Sequence, residues 1–223
     1  MKQLELIELV QQHHPTMGHT EIRKSLNRAQ NDYCARTELI KETYVQNSVA
    51  GQRYYNLDNN ILKITRVQIN DVEIPRLQGD PMIDDDEFDG GSGLSSASKS
   101  SNDRYWYVSQ GRLAIVEKVN NAITRDDKTS NFQSISVAKE IRIYAIAQAT
   151  DFGDDLTQQS DLPLQFREAL AHKVISDGYL LPPSVGMEAH KIFYAKYMNF
   201  VKEGKKFARS NYTQTGNIRQ AHF

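Results

Sequence analysis

Three stretches of this chain hold residues with chemistry to offer. The first is an acidic run, Asp80, Asp84, Asp85, Asp86, Glu87 and Asp89, which leads into Gly90. Alternating carboxylates in a loop are how calcium is held, and Asp85, Glu87, Asp89 and Gly90 fall at loop positions one, three, five and six. Position three requires Asp or Asn, and position twelve is Ser96 where a bidentate Glu is required. A solvated acidic loop is therefore the better reading. The second stretch is His13, His14 and His19. Pro15 and Gly18 interrupt any helical i, i+4 pair and no acid stands at ligand spacing, which predicts a helix end with two exposed imidazoles rather than a metal site. The third runs from 191 to 223 and sets Lys191, Lys196, Lys202, Lys205, Lys206, Arg209 and Arg219 against Glu203 alone. Phe193, Tyr194, Tyr197, Phe200, Phe207 and Tyr212 are interleaved with them, a composition that can track a nucleic-acid backbone while rings stack on bases. The competing reading makes the aromatics the core stripe of a helix. We adopt it for the rings and leave Lys202, Lys205, Lys206 and Arg209 as candidates to face DNA or a neighbouring subunit.

No phosphate-binding GxxxxGK[ST], no GxGxxG, no HExxH and no GxSxG occurs, so no residue is assigned to catalysis, to a cofactor or to a metal. Cys34 is the only cysteine, which rules out an intramolecular disulfide; its neighbours Tyr33 and Ala35 predict a small buried hydrophobe. A net charge of -1 gives no global attraction to polyanions. No secretory leader opens the chain and no apolar run is long enough to span a bilayer, so we expect folding in a reducing cytoplasm and read the Asn211-Tyr212-Thr213 sequon as coincidence. With 223 residues, 39% of them apolar, one sizeable core or two small ones can form.

The elements that must position these residues begin with Leu6, Leu9, Val10 and His13 at helical spacing over 4 to 13. Thr20 is the expected cap of a second helix, with Glu21 in its first turn, and Ile22, Leu26, Ala29, Tyr33 and Ile40 share one stripe. Residues 43 to 49 read as a strand. The stretch from 49 to 77, around which the rest is organised, reads as strand, loop, strand, tight turn and strand, with Asn70-Asp71 as a two-residue hairpin turn. Leu62 and Ile64 fall on one face of its long strand and Val67 and Ile69 on the other, which we take to mean two packing surfaces rather than a bulge near Thr65-Arg66. Residues 78 to 103 hold the acidic run and a Gly/Ser tract, a flexible excursion. A second hairpin is expected around Ser109-Gln110-Gly111-Arg112, a loop over 120 to 133, and strand again from 135 to 147. Asp161 should cap a helix that carries Phe166, Leu170 and Val174 on one face and stops before Pro182-Pro183. Ser184 should cap the last helix, with Phe193, Tyr197, Phe200, Gly204 and Phe207 in its stripe, and a polar tail runs on from Ser210.

This order of motifs resembles the head-to-tail adaptor (connector) proteins of tailed bacteriophages. The residues that carry the resemblance are Leu26-Asn27-Arg28-Ala29-Gln30, Gly51-Gln52-Arg53-Tyr54-Tyr55-Asn56-Leu57, Ile61 to Val67 with the turn at Asn70-Asp71, and Leu162-Pro163-Leu164-Gln165-Phe166-Arg167-Glu168-Ala169-Leu170. Lys205-Lys206-Phe207-Ala208-Arg209 and Thr215-Gly216-Asn217-Ile218-Arg219 complete it. Two departures stand out: Tyr55-Asn56-Leu57-Asp58 replaces a Tyr-Pro-Leu-Pro type turn, and the excursion at 78 to 103 is an added loop.

The resemblance implies an α+β subunit. A helical body would be formed by N- and C-terminal amphipathic helices over 1 to 44 and 162 to 209, with a central antiparallel β region over 45 to 150 and an extended tail over 210 to 223. It implies no catalysis and no cofactor. The partners would be the portal protein, the next tail component (nozzle, stopper or tail tube protein) and further copies of the chain in a ring of about twelve. DNA would pass through the channel without sequence-specific binding, and no membrane is involved. The protein would be made in the host bacterial cytoplasm and reside in the virion neck. Tyr212, Thr215, Gly216, Ile218, Arg219 and Phe223 would be the tail residues that meet the portal. The rival expectation from another class is a nucleic-acid-binding module built on the basic C-terminal third.

Overall fold

The computed structural model describes residues 1–77, 104–118, 132–181 and 186–212; the acidic run, the Gly/Ser tract, most of the loop at 120 to 133, Ser184 and the tail beyond Tyr212 lie outside the described residues. Among the described residues the protein is an α+β chain of four helices and antiparallel sheets. It divides into two units, one comprising Met1–Lys41 with the chain from Ile146 onward, the other Glu42–Ala145.

The helical unit is built from α1 (Gln3–Gln11), α2 (His19–Thr37), α3 (Glu168–Gly178) and α4 (Met187–Tyr212). Leu6, Ile7 and Val10 of α1, Ile22, Leu26, Ala29, Tyr33 and Cys34 of α2, Leu170, Val174 and Ile175 of α3, and Tyr197 and Val201 of α4 form one buried cluster. These positions recur every three or four residues, so each helix has a single apolar stripe to bury. Thr20 does not cap α2. The helix starts two residues earlier, because the Ile22 N–H already donates to the Gly18 carbonyl at 3.0 Å, and Gly18 takes the capping place without a side-chain bond. Ile40 lies beyond the helix, which ends at Glu38 in the left-handed conformation. Nor does Asp161 cap α3, for its carboxylate accepts the Thr150 N–H at 2.7 Å. The chain enters α3 through a 3-10 turn over Leu164–Phe166. Phe166, Leu170 and Val174 are buried on one face as expected.

Polar residues of α2 hold the connection that precedes α3. Asn27 both donates to the Phe152 carbonyl (3.3 Å) and accepts its N–H (2.9 Å), while Gln30 donates to the Thr150 carbonyl (2.7 Å) and accepts from Ser160 Oγ (2.6 Å). These bonds satisfy backbone groups that would otherwise be buried unpaired beside the core. Asn27 and Gln30 thus have a fold-level task within the motif that carries the resemblance.

The β unit contains a sheet of β1 (Lys41–Asn47), β8 (Glu140–Ala147), β3 (Ile61–Ile69) and β4 (Val72–Ile74), in that order, and a second of β2 (Tyr54–Asn56), β6 (Arg112–Lys118) and β5 (Arg104–Ser109). The remaining strand, β7 (Phe132–Ser134), shares an edge of β6 with β2: β2 pairs Arg112 to Ala114 and β7 pairs Val116 to Lys118. β7 falls at the end of the stretch expected to be loop. Leu113 and Ile115 of β6 face a core made with Tyr55, Ile64, Val67, Ile69, Trp106, Ile141 and Ile143, while Ala114 and Val116 face a smaller cluster with Tyr107. The expectation of two packing surfaces for β3 fails, since Ile64, Val67 and Ile69 all join one core and Leu62 is 37% exposed. Period-two alternation is broken once between Ile64 and Val67, and the same core receives both. Tyr55 closes the loop before β2, its hydroxyl donating to the Gln52 carbonyl at 2.9 Å and accepting the Val49 N–H at 3.2 Å. Across the β5–β6 hairpin, buried Glu117 accepts from Arg104 Nε at 2.9 Å, a charge compensated inside the sheet.

Both hairpin turns take positive φ at both central residues, Asn70 (47°) and Asp71 (65°) between β3 and β4, and Gln110 (48°) and Gly111 (75°) between β5 and β6. That is the twist-matched two-residue turn, for which Asn-Gly is the favoured pair. Gln110 is the misfit, so Gln110→Asn should raise stability by a few tenths to about 1 kcal/mol in urea unfolding.

Candidate interaction surface on the closing helix

Of the basic residues singled out from the sequence, Lys202, Lys205, Lys206 and Arg209 are all exposed on α4. The helix separates them into two i, i+4 rows. Lys205 and Arg209 line a cleft of about 450 Å³ with Arg36, Thr37 and Glu38 at the end of α2 and Lys41 just beyond it; Lys202 and Lys206 do not. Arg36 and Lys41 were not foreseen as site residues. Asp32 and Arg36 at i, i+4 on α2 were the available signal, yet nothing local to α2 says that the end of α4 comes to lie there.

Asp32 ties Arg36 of this cleft to α4. It accepts from Arg36 Nε through both oxygens (2.9 and 2.8 Å) and from the buried Tyr197 hydroxyl of α4 (2.7 Å). The paired carboxylate holds the Arg36 guanidinium above its usual range. Burial, reinforced by Asp32, pushes the Tyr197 phenol well up, so it stays a donor. Lys41 moves the other way: burial lowers its ammonium pKa and Glu38 opposes the shift only in part. Lys41, Lys205 and Arg209 thus stand with one acid, Glu38, around the cleft. Arg36 and Arg209, in the last turns of α2 and α4, complement the carbonyl ends of those helices.

α4 reaches this position because Gly204 lets it approach α2. A Cβ at Gly204 would stand 2.4 Å from Tyr33 Oη and 2.9 Å from Thr37 Cγ2. Tyr33 Oη in turn donates to the Phe200 carbonyl at 3.0 Å. Tyr197 is fully buried, and Phe193, Tyr194, Phe200 and Phe207 pack against the helical core, the expected fate of the aromatic stripe.

The remaining expected residues are placed as follows. α4 continues to Tyr212, so Ser210, Asn211 and Tyr212 are helical rather than extended, and Ser210 Oγ donates back to the Phe207 carbonyl at 3.0 Å. Thr215, Gly216, Ile218, Arg219 and Phe223 lie outside the described residues, as do Asp85, Glu87 and Asp89. Of the three histidines, His13 and His19 are exposed, whereas His14 is only 4% exposed and shares a 3.0 Å hydrogen bond with the Ile175 carbonyl. His14 is covered because it lies directly over Gly178 of α3, where a Cβ would come within 2.5 Å of its Nε2. No group of three metal-binding side chains occurs among the described residues. Cys34 is buried, and burial raises its thiol to about 11. No described helix is long and apolar enough to cross a membrane. No protein-family model matches the chain, and a search of curated proteins found no match either.

Gly204→Ala should cost about 1–3 kcal/mol in chemical denaturation, because the intruding methyl meets the end of a buried ring. Tyr33→Phe in the Gly204→Ala background should recover part of that loss by removing the nearest atom.

Proposed function

We propose that this chain is a head-to-tail adaptor of a tailed bacteriophage, a structural subunit that forms a ring under the portal, extends the DNA channel and offers a docking surface to the tail. The observation that carries this reading is α4, a 26-residue helix closing the helical unit, whose basic end is exposed and leads the chain toward the Thr215-Gly216-Asn217-Ile218-Arg219 stretch. It is supported by the resemblance in motif order and by the α+β architecture. Exposed Leu180, Leu181, Met187 and Ile192 around the α3–α4 connection add apolar area of the kind a neighbouring subunit covers. In this proposal heterologous contacts close a ring of about twelve copies, and the tail residues Thr215, Gly216, Ile218, Arg219 and Phe223 meet the portal with Tyr212 at the end of α4. Another face receives the next tail component, DNA passes without sequence-specific contact, and the finished protein sits in the virion neck. The lysines would equally serve a nucleic-acid-binding module, but the rings needed for base stacking on α4 are engaged in its own core.

Imaging the purified chain with the portal protein encoded alongside it should show a ring on the portal. Removing residues 213 to 223 should leave thermal stability unchanged and abolish co-purification with the portal. Salt-dependent binding to short duplexes together with indifference to the portal would replace this reading with the nucleic-acid module.

A further inference from the structure

Four imidazoles gather where α1 and α4 meet α3. His14 bonds the Ile175 carbonyl, His190 Nδ1 lies 2.9 Å from the Ser176 carbonyl, His13 Nδ1 lies 3.3 Å from the Tyr179 hydroxyl, and His172 belongs to α3 itself. Two of them touch one ring of α4. Phe193 has the His13 ring at 4.8 Å between centroids, edge-on, and the His172 ring at 5.8 Å. Lys196 Nζ also stands 5.1 Å from the centre of that phenyl ring. We infer that His13 and His172 make the joint between α1, α3 and α4 acid-sensitive: protonating them sets two cations against Lys196 and each other around Phe193, one of them at a buried nitrogen with no acceptor, and loosens the hold of the helical unit on the first half of α4.

The asymmetry of His172 shows why its proton is unwelcome. The side chain is about nine-tenths buried. Its Nε2 faces Glu168 Oε1 at 3.4 Å, whereas its Nδ1 is shut off from water with no hydrogen-bond partner. The neutral ring can put its single hydrogen on Nε2, toward the carboxylate, and leave Nδ1 as a bare lone pair. Protonation adds an N–H at Nδ1 where no acceptor waits, which costs more than an unmatched lone pair in an apolar setting. Charges reach this group from three sides. Glu168 on α3 favours the cation, Lys196 on α4 and His13 at the end of α1 oppose it, and Glu203 of α4 lines the same cleft of about 260 Å³. Burial is the larger cause of the lowered pKa of His172, with Lys196 and His13 adding to it; His13 is lowered by burial first and then by His14 and Lys196.

The direction of the effect follows. Both groups bind protons more weakly in the folded chain than in the unfolded one, where the ordinary value is about 6.5. Their contribution is therefore complete above about pH 6.5 and is lost as pH falls from there toward the lowered folded values. The inference rests on the packing of the helical unit and is independent of the adaptor reading.

The test uses the full chain. Thermal unfolding followed between about pH 7.5 and 5 should show a loss of stability that shrinks in His172→Gln, and amide exchange over residues 190 to 200 should accelerate about tenfold relative to β3 at the acid end. Two variants at exposed side chains carry opposite signs. Lys196→Gln should bring the His172 titration, read by NMR, back toward about 6.5 and flatten the acid slope, while Glu168→Gln should lower it further and steepen the slope. Should His172→Gln not fold, these two decide alone. A His172 midpoint at or above about 6.5, shifts of the same sign in both variants, or an unchanged acid slope in a folded His172→Gln would each overturn the inference.

Discussion

The helical unit depends on how Tyr33 is accommodated. Its ring is fully buried in α2, touches Phe166 and Tyr197, and ends in a hydroxyl that must find a partner where no water reaches. α4 supplies that partner through the Phe200 carbonyl, and can do so only where its own surface is flat, at Gly204. One glycine therefore sets the approach of the two longest helices, and with it the placement of Lys205 and Arg209 beside Arg36 and Lys41. The cleft exists because a hydroxyl had to be satisfied several residues away.

The β unit answers a different constraint. β6 is buried on both faces and must therefore be apolar nearly throughout, which its sequence Arg-Leu-Ala-Ile-Val-Glu-Lys achieves with polar residues only at the ends. Its one buried acid, Glu117, is matched by Arg104 across the hairpin. Strands on either side of it can be short, because β2 and β7 divide a single edge between them.

Features written in nearest-neighbour chemistry were readable in advance. Asn70-Asp71 and Gly111 announced turns because so few residues tolerate positive φ, and the four helical stripes announced themselves by period. What escaped the reading depends on contacts far apart in the chain. Which of the three imidazoles would be covered was not legible, because the cover of His14 comes from Gly178, and Arg36 and Lys41 gave no hint of the far end of α4. Thr20 and Asp161 are good capping residues by type, yet one was overtaken by an earlier helix start and the other drawn to the Thr150 N–H. β3 misled in another way. A change of apolar phase within a strand has two structural solutions, and choosing between them requires knowing that a single core lies on the far side.

The burial of Cys34 makes the helical unit its own reporter. It is the only thiol in the chain, fully enclosed in α2, and its raised pKa leaves almost none of it as thiolate near neutrality. Alkylation must wait until α2 parts from its neighbours, so the rate at which a maleimide attaches counts those openings directly. The intact chain would thereby report the breathing of one unit while the other stays silent.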